Sequence, residues 1–455
     1  MRTLGSPLLA HGLGGSTDLP IPFAFAFVGA AWALSISFAI LVFAWRAPRL
    51  RADTPGWVLP GWVNALASSG VTRAVVAGLG LALTGWVGMA AFFGPAESAA
   101  NALPGTFYVL LWVGLVALSL LFGPVWRLIS PVRSVHWLLC AVLRRSPADA
   151  FVQYRERWGY WPAVAGLFAL VWLELVSPDP GSVAAIRAWC ITYLVVTLTG
   201  TIVCGTRWCE RADPFEVYST LVSRLSAVGR GITAGTFVLR MPLNNLTATE
   251  VRSGSVALTA TLLGSTAFDS FSARPWWRNA VDHVSSSAAI VNHELTATVV
   301  RTAGLLLFVT VVGASFWIAA RAVSGLPARE RAKLPGLLSY SLIPIIVGYV
   351  FAHYLTYLVE KGQATAVLLV DPLGRGWDPL GLSERDVSYV LSAHPTLLAS
   401  LKVLFVLTGH VLGVIAAHDR SLRLLPKRHQ LSGQLALLLT MVVYTVGGLY
   451  LLFGG

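Results

Sequence analysis

The chain has 455 residues, of which 56% are hydrophobic and only 12% are charged. This composition, with a mean hydropathy of +0.69, excludes an ordinary soluble domain and indicates a protein that crosses a membrane several times. The formal net charge of +12 does not indicate a nucleic-acid partner, because the basic residues are grouped in connections between apolar segments, where they set membrane orientation.

Apolar segments of the length that an α-helix needs to cross a bilayer, about 17 to 25 residues, recur along the chain. Ten are predicted to be spans: Ile21–Trp45, Arg73–Phe93, Thr106–Phe122, Trp161–Val176, Ala184–Gly205, Ser253–Phe271, Thr298–Ala320, Pro335–Tyr357, Thr396–His418 and Leu431–Phe453. The apolar patch before Ile21 is too short for a secretory signal, so the first span is expected to be retained. The predicted fold class is all-α, a polytopic transmembrane helical bundle that forms a single integral domain over residues 1–455 in the cell membrane.

Basic residues are concentrated in alternate connections, and such loops face the cytoplasm. The pattern predicts an N-out and C-out topology, with residues 123–160 and 206–252 in the cytoplasm and residues 358–395 forming an external loop. In residues 123–160, arginines interleave with apolar side chains, which is typical of an amphipathic helix at the membrane surface.

The sixth span carries an unusual number of polar groups. It is rich in hydroxyls and ends in Asp269, and an ionisable side chain is costly beside lipid. We expect this helix to cross the membrane, since otherwise the later basic loops would lie outside. We also expect it to be short or unwound near Gly264 and shielded by other spans.

Histidines and carboxylates collect on the predicted outer side of the protein. His353, Tyr357 and Glu360 are spaced at i, i+4 and i+7, which places them on one helical face. The predicted metal ligands are four histidines: His283, His293, His353 and His394. Neutral imidazole and carboxylate are normal ligands for a divalent metal such as zinc or copper.

Such a centre predicts a metal-dependent hydrolase. A metal-bound water would be the nucleophile, with Asp269 or Glu360 as ligand or general base. Lys402 lies about two turns into the ninth span and is the candidate electrostatic stabiliser. The bilayer and a small-molecule or ion substrate are the expected partners.

Two other readings stay open. In an ion- or proton-coupled transporter the same groups would line a pathway, and the sixth span and Pro344 would mark broken helices. Alternatively the chain is a non-catalytic subunit with a partner in a membrane complex, and His353 and His410 only form hydrogen bonds between helices.

Haem ranks below a metal ion as a cofactor. The four cysteines form no C-x-x-C or C-x-x-C-H motif, and His410 has no evident second ligand at matched depth. Glu174 and Arg187 flank a short hairpin at similar depth and are predicted to pair.

Three sequence segments resemble a family of actinobacterial membrane proteins commonly labelled fenitrothion hydrolases. They are His11-Gly12-Leu13-Gly14-Gly15 with Asp18-Leu19-Pro20, Gly264-Ser265-Thr266-Ala267-Phe268-Asp269, and His353-Tyr354 through Glu360-Lys361-Gly362-Gln363. The likeness extends over nearly the whole chain. It implies a membrane-bound hydrolase of organophosphate triesters, and it implies no role for any particular residue.

Overall fold

The structure is a computed structural model that describes residues 18–231, 233, 235–287, 292–323, 325–382 and 386–454. Within these ranges it is almost entirely helical, and nine of its helical segments are long and apolar enough to cross a membrane. The chain is therefore a multi-pass membrane protein with a helical bundle, as predicted. His11 and its neighbours in the family-like leader lie outside the described residues.

The first half of the chain forms the following helices: α1 (Phe23–Ala44), α2 (Gly61–Ser68), α3 (Gly70–Phe93), α4 (Ala102–Gly105), α5 (Leu115–Phe122), α6 (Trp126–Ile129), α7 (Pro131–Val142), α8 (Trp161–Leu175), α9 (Val183–Cys204), α10 (Thr206–Ala212), α11 (Pro214–Ser223) and α12 (Pro242–Leu246). A π-helical segment, Thr106–Gly114, joins α4 to α5, so the three form one span. Short 3-10 turns occupy Ser98–Ala100 and Glu156–Trp158. Three short strands, β1 (Trp57–Val58), β2 (Val228–Arg230) and β3 (Phe237–Leu239), form an antiparallel sheet in the order β1-β3-β2.

The second half contains α13 (Ser255–Ser272), α14 (Pro275–Ser285), α15 (His293–Arg321), α16 (Ala328–Leu338), α17 (Ile343–Thr356), α18 (Gly362–Val370), α19 (Pro395–Leu424) and α20 (Ser432–Phe453). A 3-10 turn at Ser339–Leu342 joins α16 to α17, and a π-helical segment at Tyr357–Lys361 joins α17 to α18. A further 3-10 turn, Lys427–His429, precedes α20. Residues 328–370 therefore form one helical run with two changes of helix type.

Hydrogen bonds bring four basic segments, 46–51, 123–160, 206–252 and 420–428, together at one end of the bundle, here called the basic end. Arg423 Nη2 donates to Leu50 O, Arg51 N donates to Asn244 Oδ1 (3.1 Å), and Arg133 Nη2 donates to Glu216 Oε1 (2.7 Å). One-sided grouping of arginines is what the positive-inside rule requires. The cytoplasmic location of this end remains a prediction.

Helix α13, which corresponds to the predicted sixth span, is the central helix of the bundle. Thirteen of its 18 residues are buried, and it packs against α8, α15 and α17. It begins at the basic end, where Tyr160 N donates to Ser253 O, and runs for about 27 Å at 1.5 Å per residue. The prediction that this helix is shielded is confirmed, and it continues through Gly264 without unwinding. It is not one of the nine described segments that are long and apolar enough to cross a membrane, so its crossing and the count of ten spans stay predictions.

Two predicted loops differ from the structure. The connection predicted at 358–395 is shorter, because the helix continues to Val370 and α19 begins at Pro395. The segment predicted at 206–252 is not simply a loop, since it contains α10, α11, α12 and two strands. Nine of the ten residues of α11 are buried, and this helix packs against α5 and α8.

Helices α17 and α19 lie antiparallel and in close contact, because glycines face each other where they cross. A Cβ atom built on Gly409 would lie 2.6 Å from the carbonyl oxygen of Pro344 and 3.2 Å from the Cα of Gly348. Small residues at such crossings let helix backbones approach closely in membranes. The crossing lies one to two turns from His353 along α17.

Candidate functional site

The polar site is built on one pair of side chains, Asp269 on α13 and His353 on α17. The Nε2 of His353 lies 2.9 Å from the Oδ2 of Asp269, and the hydroxyl of Tyr354 donates to the same oxygen at 2.7 Å. All three side chains are buried, with at most 6% of any residue exposed. The predicted combination of Asp269 and His353 in one site is therefore seen in the structure.

Two hydroxyls extend this pair on the other side of the imidazole. The Nδ1 of His353 lies 3.1 Å from the Oγ of Ser270, which lies 3.1 Å from the hydroxyl of Tyr349. One consistent assignment has Tyr349 donating to Ser270, Ser270 to Nδ1, and Nε2–H to Asp269. In that assignment His353 is neutral and Asp269 is a carboxylate.

The local sequence explains how two helices supply five groups. Asp269 and Ser270 are consecutive on α13, so His353 can contact both with its two ring nitrogens. Tyr349 and His353 are four residues apart on α17, which places them on one face, and their rings are stacked with centroids 6.4 Å apart. Tyr354 follows directly and reaches Asp269 from the next position around the helix.

Glu174, near the end of α8, is a second carboxylate at this site. Both of its carboxylate oxygens are buried and accept no hydrogen bond within the part of the chain that the structure describes. Its charge lies close enough to interact with that of Asp269. The predicted Glu174–Arg187 pair is wrong: Arg187 Nη1 donates to Ala91 O at 2.9 Å, and the guanidinium lies over the ring of Phe92.

Each of the two π-helical segments carries a tyrosine that interacts with Glu174. Tyr108 belongs to the first segment and Tyr357 to the second, and both interact electrostatically with Glu174. The segments also contact each other. Short π-helical segments are rare in proteins and occur frequently at functional sites.

Glu360 has a different role from the one predicted. Its Oε1 accepts hydrogen bonds from the backbone of Leu391 (3.1 Å) and Ser392 (2.8 Å), and its Oε2 accepts one from the Ser392 hydroxyl at 2.6 Å. It thereby fixes the end of the loop 371–394 against the π-helical segment. The altered helical register explains why it does not follow His353 into the site.

The other predicted histidine ligands are distributed over the surface. His283 is exposed in the last turn of α14, and His293 contacts the carbonyl oxygen of Ser285 at the start of α15. His394 is exposed and its Nδ1 lies 2.8 Å from Val390 O. Over the described ranges, no three His, Cys, Asp or Glu side chains are grouped as they would be around a metal ion. These residues therefore do not supply a complete set of metal ligands.

Lys402 is buried on α19, with 1% of the residue exposed. It interacts electrostatically with Asp18, just before α1. The predicted depth of Lys402 agrees with the structure, while its role as a stabiliser of reaction charge stays a prediction.

Sequence reasoning missed Ser270, Tyr349 and Tyr354 as members of the site. A signal was present for each, since Ser270 adjoins Asp269, and the two tyrosines lie four residues before and one after His353. No family model, no curated protein and no solved structure matches this chain.

Proposed function

We propose that the protein is a proton-coupled transporter in which the Asp269–His353 pair binds and releases the proton. The observation that carries this proposal is a buried network of carboxylate, imidazole and hydroxyl groups inside a multi-pass membrane bundle. Ionisable groups are rare at such positions because burial is costly, and those that occur commonly form proton relays or ion pathways.

The geometry gives each group a part in proton transfer. A proton that reaches Nδ1 of His353 through the Ser270 hydroxyl converts the neutral imidazole to imidazolium. The Asp269 carboxylate at 2.9 Å stabilises that charge, and Tyr354 holds the carboxylate in place. Loss of the proton by the reverse route restores the neutral imidazole.

Coupling to a conformational change follows from the placement of the pair on two helices. Protonation of His353 changes the attraction between α13 and α17. If two conformations of the protein bind the proton with different affinities, proton binding shifts the equilibrium between them by that difference. Helix α17 has a 3-10 turn at one end and a π-helical segment at the other. Bending at these two changes of helix type would move α17 relative to its neighbours.

Infrared difference spectroscopy of purified protein between acidic and neutral buffer tests the proposal. We expect a carboxylate band that shifts when His353 gains its proton and disappears in Asp269→Asn, and imidazole bands that disappear in His353→Gln. Asp282→Asn, an exposed carboxylate on α14, is the matched control and should leave those bands unchanged. In vesicles containing a pH-sensitive dye, Asp269→Asn should also abolish proton flux. If Asp269→Asn gives the same difference spectrum as the wild type, Asp269 is not part of a proton-binding site.

A second candidate function is hydrolysis of an organophosphate-like ester without a metal. It is favoured by the order Ser270, His353, Asp269, which places a hydroxyl, an imidazole and a carboxylate as in a nucleophilic triad. In that reaction the Ser270 Oγ forms a bond to phosphorus while His353 takes the hydroxyl proton. The ester P–O bond then breaks, and His353 returns the proton to the leaving group, which leaves a phosphorylated Ser270. Water that gives a proton to His353 then attacks phosphorus, the bond from Ser270 Oγ to phosphorus breaks, and Ser270 takes the proton back from His353.

Two measurements separate these functions. A fluorophosphonate probe should label Ser270 in a hydrolase, and Ser270→Ala should abolish both labelling and esterase activity. In the transporter, Ser270→Ala should retain the infrared band of Asp269, and the wild type should not be labelled. Stoichiometric metal in the purified protein would instead support the metal-dependent hydrolase predicted from the sequence.

A further inference from the structure

The carboxylate of Glu174 is a buried charge site that the proton-binding pair does not use. Both of its oxygens lack a hydrogen-bond partner among the described residues. The hydroxyl of Tyr218 on α11 is also buried and without a partner there, with 1% of the residue exposed. The two groups interact electrostatically, so two unsatisfied oxygen centres on different helices share one small region.

The charge of this region is negative. Asp269 is the one charged group that acts on Glu174 within the described part of the chain, and Arg187 is turned towards α3 instead. A buried carboxylate without a counter-charge is strongly disfavoured, because the interior screens charge weakly. The Glu174 carboxylate therefore needs either a bound proton or a cation beside it.

The surrounding groups indicate a small cation with a preference for oxygen. Three tyrosines, Tyr108, Tyr218 and Tyr357, interact electrostatically with Glu174, and Tyr218 lies on α11, which packs against α8. In membrane transporters, irregular helical segments supply backbone carbonyls to Na⁺, and Tyr108 and Tyr357 belong to the two π-helical segments. Since the carboxylate oxygens are buried, the ion must shed most of its water to reach them.

We infer that Glu174, with the hydroxyl of Tyr218, binds a small monovalent cation, Na⁺ or K⁺, in competition with a proton. This inference rests on the proposed function, in which the Asp269–His353 pair carries the proton for which the cation is exchanged. A divalent metal fits less well, since no group of three or more ligating side chains occurs within the described ranges.

Binding of radioactive sodium to purified protein in detergent tests this site, with K⁺ as the competing ion. We expect the wild type to bind Na⁺ or K⁺ more weakly as the pH falls. Glu174→Gln should weaken binding by at least about tenfold, since loss of a group that only supports the metal ligands already costs about 10–100-fold in metal affinity. Tyr218→Phe should weaken it by a smaller factor. Glu97→Gln, an exposed carboxylate in the loop after α3, is the matched control and should bind as the wild type does.

Each result decides a separate claim. Unchanged binding in Glu174→Gln, or no binding of either ion by the wild type, would overturn the cation site while leaving the infrared test of Asp269 intact. The converse outcome is that Glu174→Gln loses cation binding while the wild type shows no pH-dependent band from Asp269. That combination would support the cation site and contradict proton coupling. If Glu174→Gln does not yield folded protein, Glu174→Asp takes its place because it retains the charge. This variant should bind the cation more weakly than the wild type, and its binding should still weaken as the pH falls. Cation binding that does not change with pH would also overturn the proposal.

Discussion

The Nε2 of His353 lies 2.9 Å from the Oδ2 of Asp269, a residue 84 positions earlier in the chain. This contact joins the buried central helix α13 to α17, which in turn packs closely against α19. A hydrogen bond to a buried carboxylate is worth more than one between neutral groups, because the charged acceptor has lost its water. The pair is therefore expected to contribute to stability as well as to the proposed proton binding.

Replacing the imidazole of His353 should affect both the stability of the protein and the proposed proton binding. We expect His353→Ala to abolish the pH-dependent infrared band of Asp269. We also expect it to lower the free energy of unfolding by about 1–3 kcal/mol, the range for losing a partner of a buried polar group. Measurement of thermal unfolding in detergent and of the infrared band provides both values.

His394→Ala is the control, since His394 is exposed and contacts a nearby carbonyl. It should change stability by no more than about 0.5 kcal/mol. If His353→Ala instead behaves like this control in both measurements, His353 is not at the centre of the site.

The polar residues of α13 could be placed correctly from the sequence, because one physical rule governs them. An apolar segment with several hydroxyls and Asp269 is too polar to face lipid, and the structure buries it among α8, α15 and α17. By contrast, the Glu174–Arg187 pairing failed because similar depth does not determine the direction of a side chain. Arg187 instead reaches the Ala91 carbonyl on α3, a long-range contact that local sequence does not encode.

Loop boundaries were wrong where polar residues are satisfied inside the protein. The predicted span ends at Tyr357, before the polar residues Glu360, Lys361 and Gln363. In the structure Glu360 bonds Leu391 and Ser392, and Gln363 bonds the backbone of Ser388, so the helix continues. These hydrogen-bond partners lie about 25 to 30 residues later in the chain. The local sequence alone therefore could not predict that the helix continues to Val370.

Glu360 is expected to control the order of the loop 371–394. Glu360→Ala removes the acceptor of three hydrogen bonds at the end of that loop, so trypsin should cut faster after Arg375. Glu330→Ala, at an exposed position early in α16, should leave the cleavage rate unchanged. Equal rates for all three proteins would show that Glu360 does not hold the loop.

The buried Glu216 should be the strongest single ionic contribution at the basic end. Arg133 makes a bidentate contact to it at 2.6 and 2.7 Å. Because the Arg133 side chain is 21% exposed, we expect Glu216→Ala to destabilise by about 2 kcal/mol, below the roughly 3–5 kcal/mol of a fully buried pair. Glu250→Ala is the control, since the Glu250 side chain is 58% exposed and its partner Arg252 is 21% exposed, so a much smaller loss is expected. Equal losses of unfolding free energy would contradict this ranking.

Membrane orientation can be measured with single cysteines at the two ends of the bundle. With an impermeant thiol reagent on intact cells, Ala99→Cys should be labelled and Ser146→Cys should not, because residue 146 lies in the basic end. Both positions are exposed. After the cells are opened, both should react, which controls for accessibility. The reverse pattern in intact cells would place the proton site at the cytoplasmic side.

The glycine crossing between α17 and α19 should be intolerant of a single methyl group. In Gly409→Ala the added Cβ would lie 2.6 Å from the Pro344 carbonyl oxygen, and a backbone atom cannot move aside as a flexible side chain can. Overpacking of this kind costs about 1–3 kcal/mol, whereas replacing a helical glycine with alanine gains about 1 kcal/mol.

The matched control for this crossing is Gly447→Ala on α20, where an added Cβ meets nothing within 4 Å. It gains the helical preference without the clash, so it should be neutral or stabilising. The two variants should therefore differ by about 2 kcal/mol in unfolding free energy, which is the overpacking term of Gly409→Ala alone. Because α17 also carries His353, Gly409→Ala should shift the infrared band of Asp269, and Gly447→Ala should not. Identical stability and spectra in the two variants would mean that the contact between α17 and α19 does not hold His353 in position.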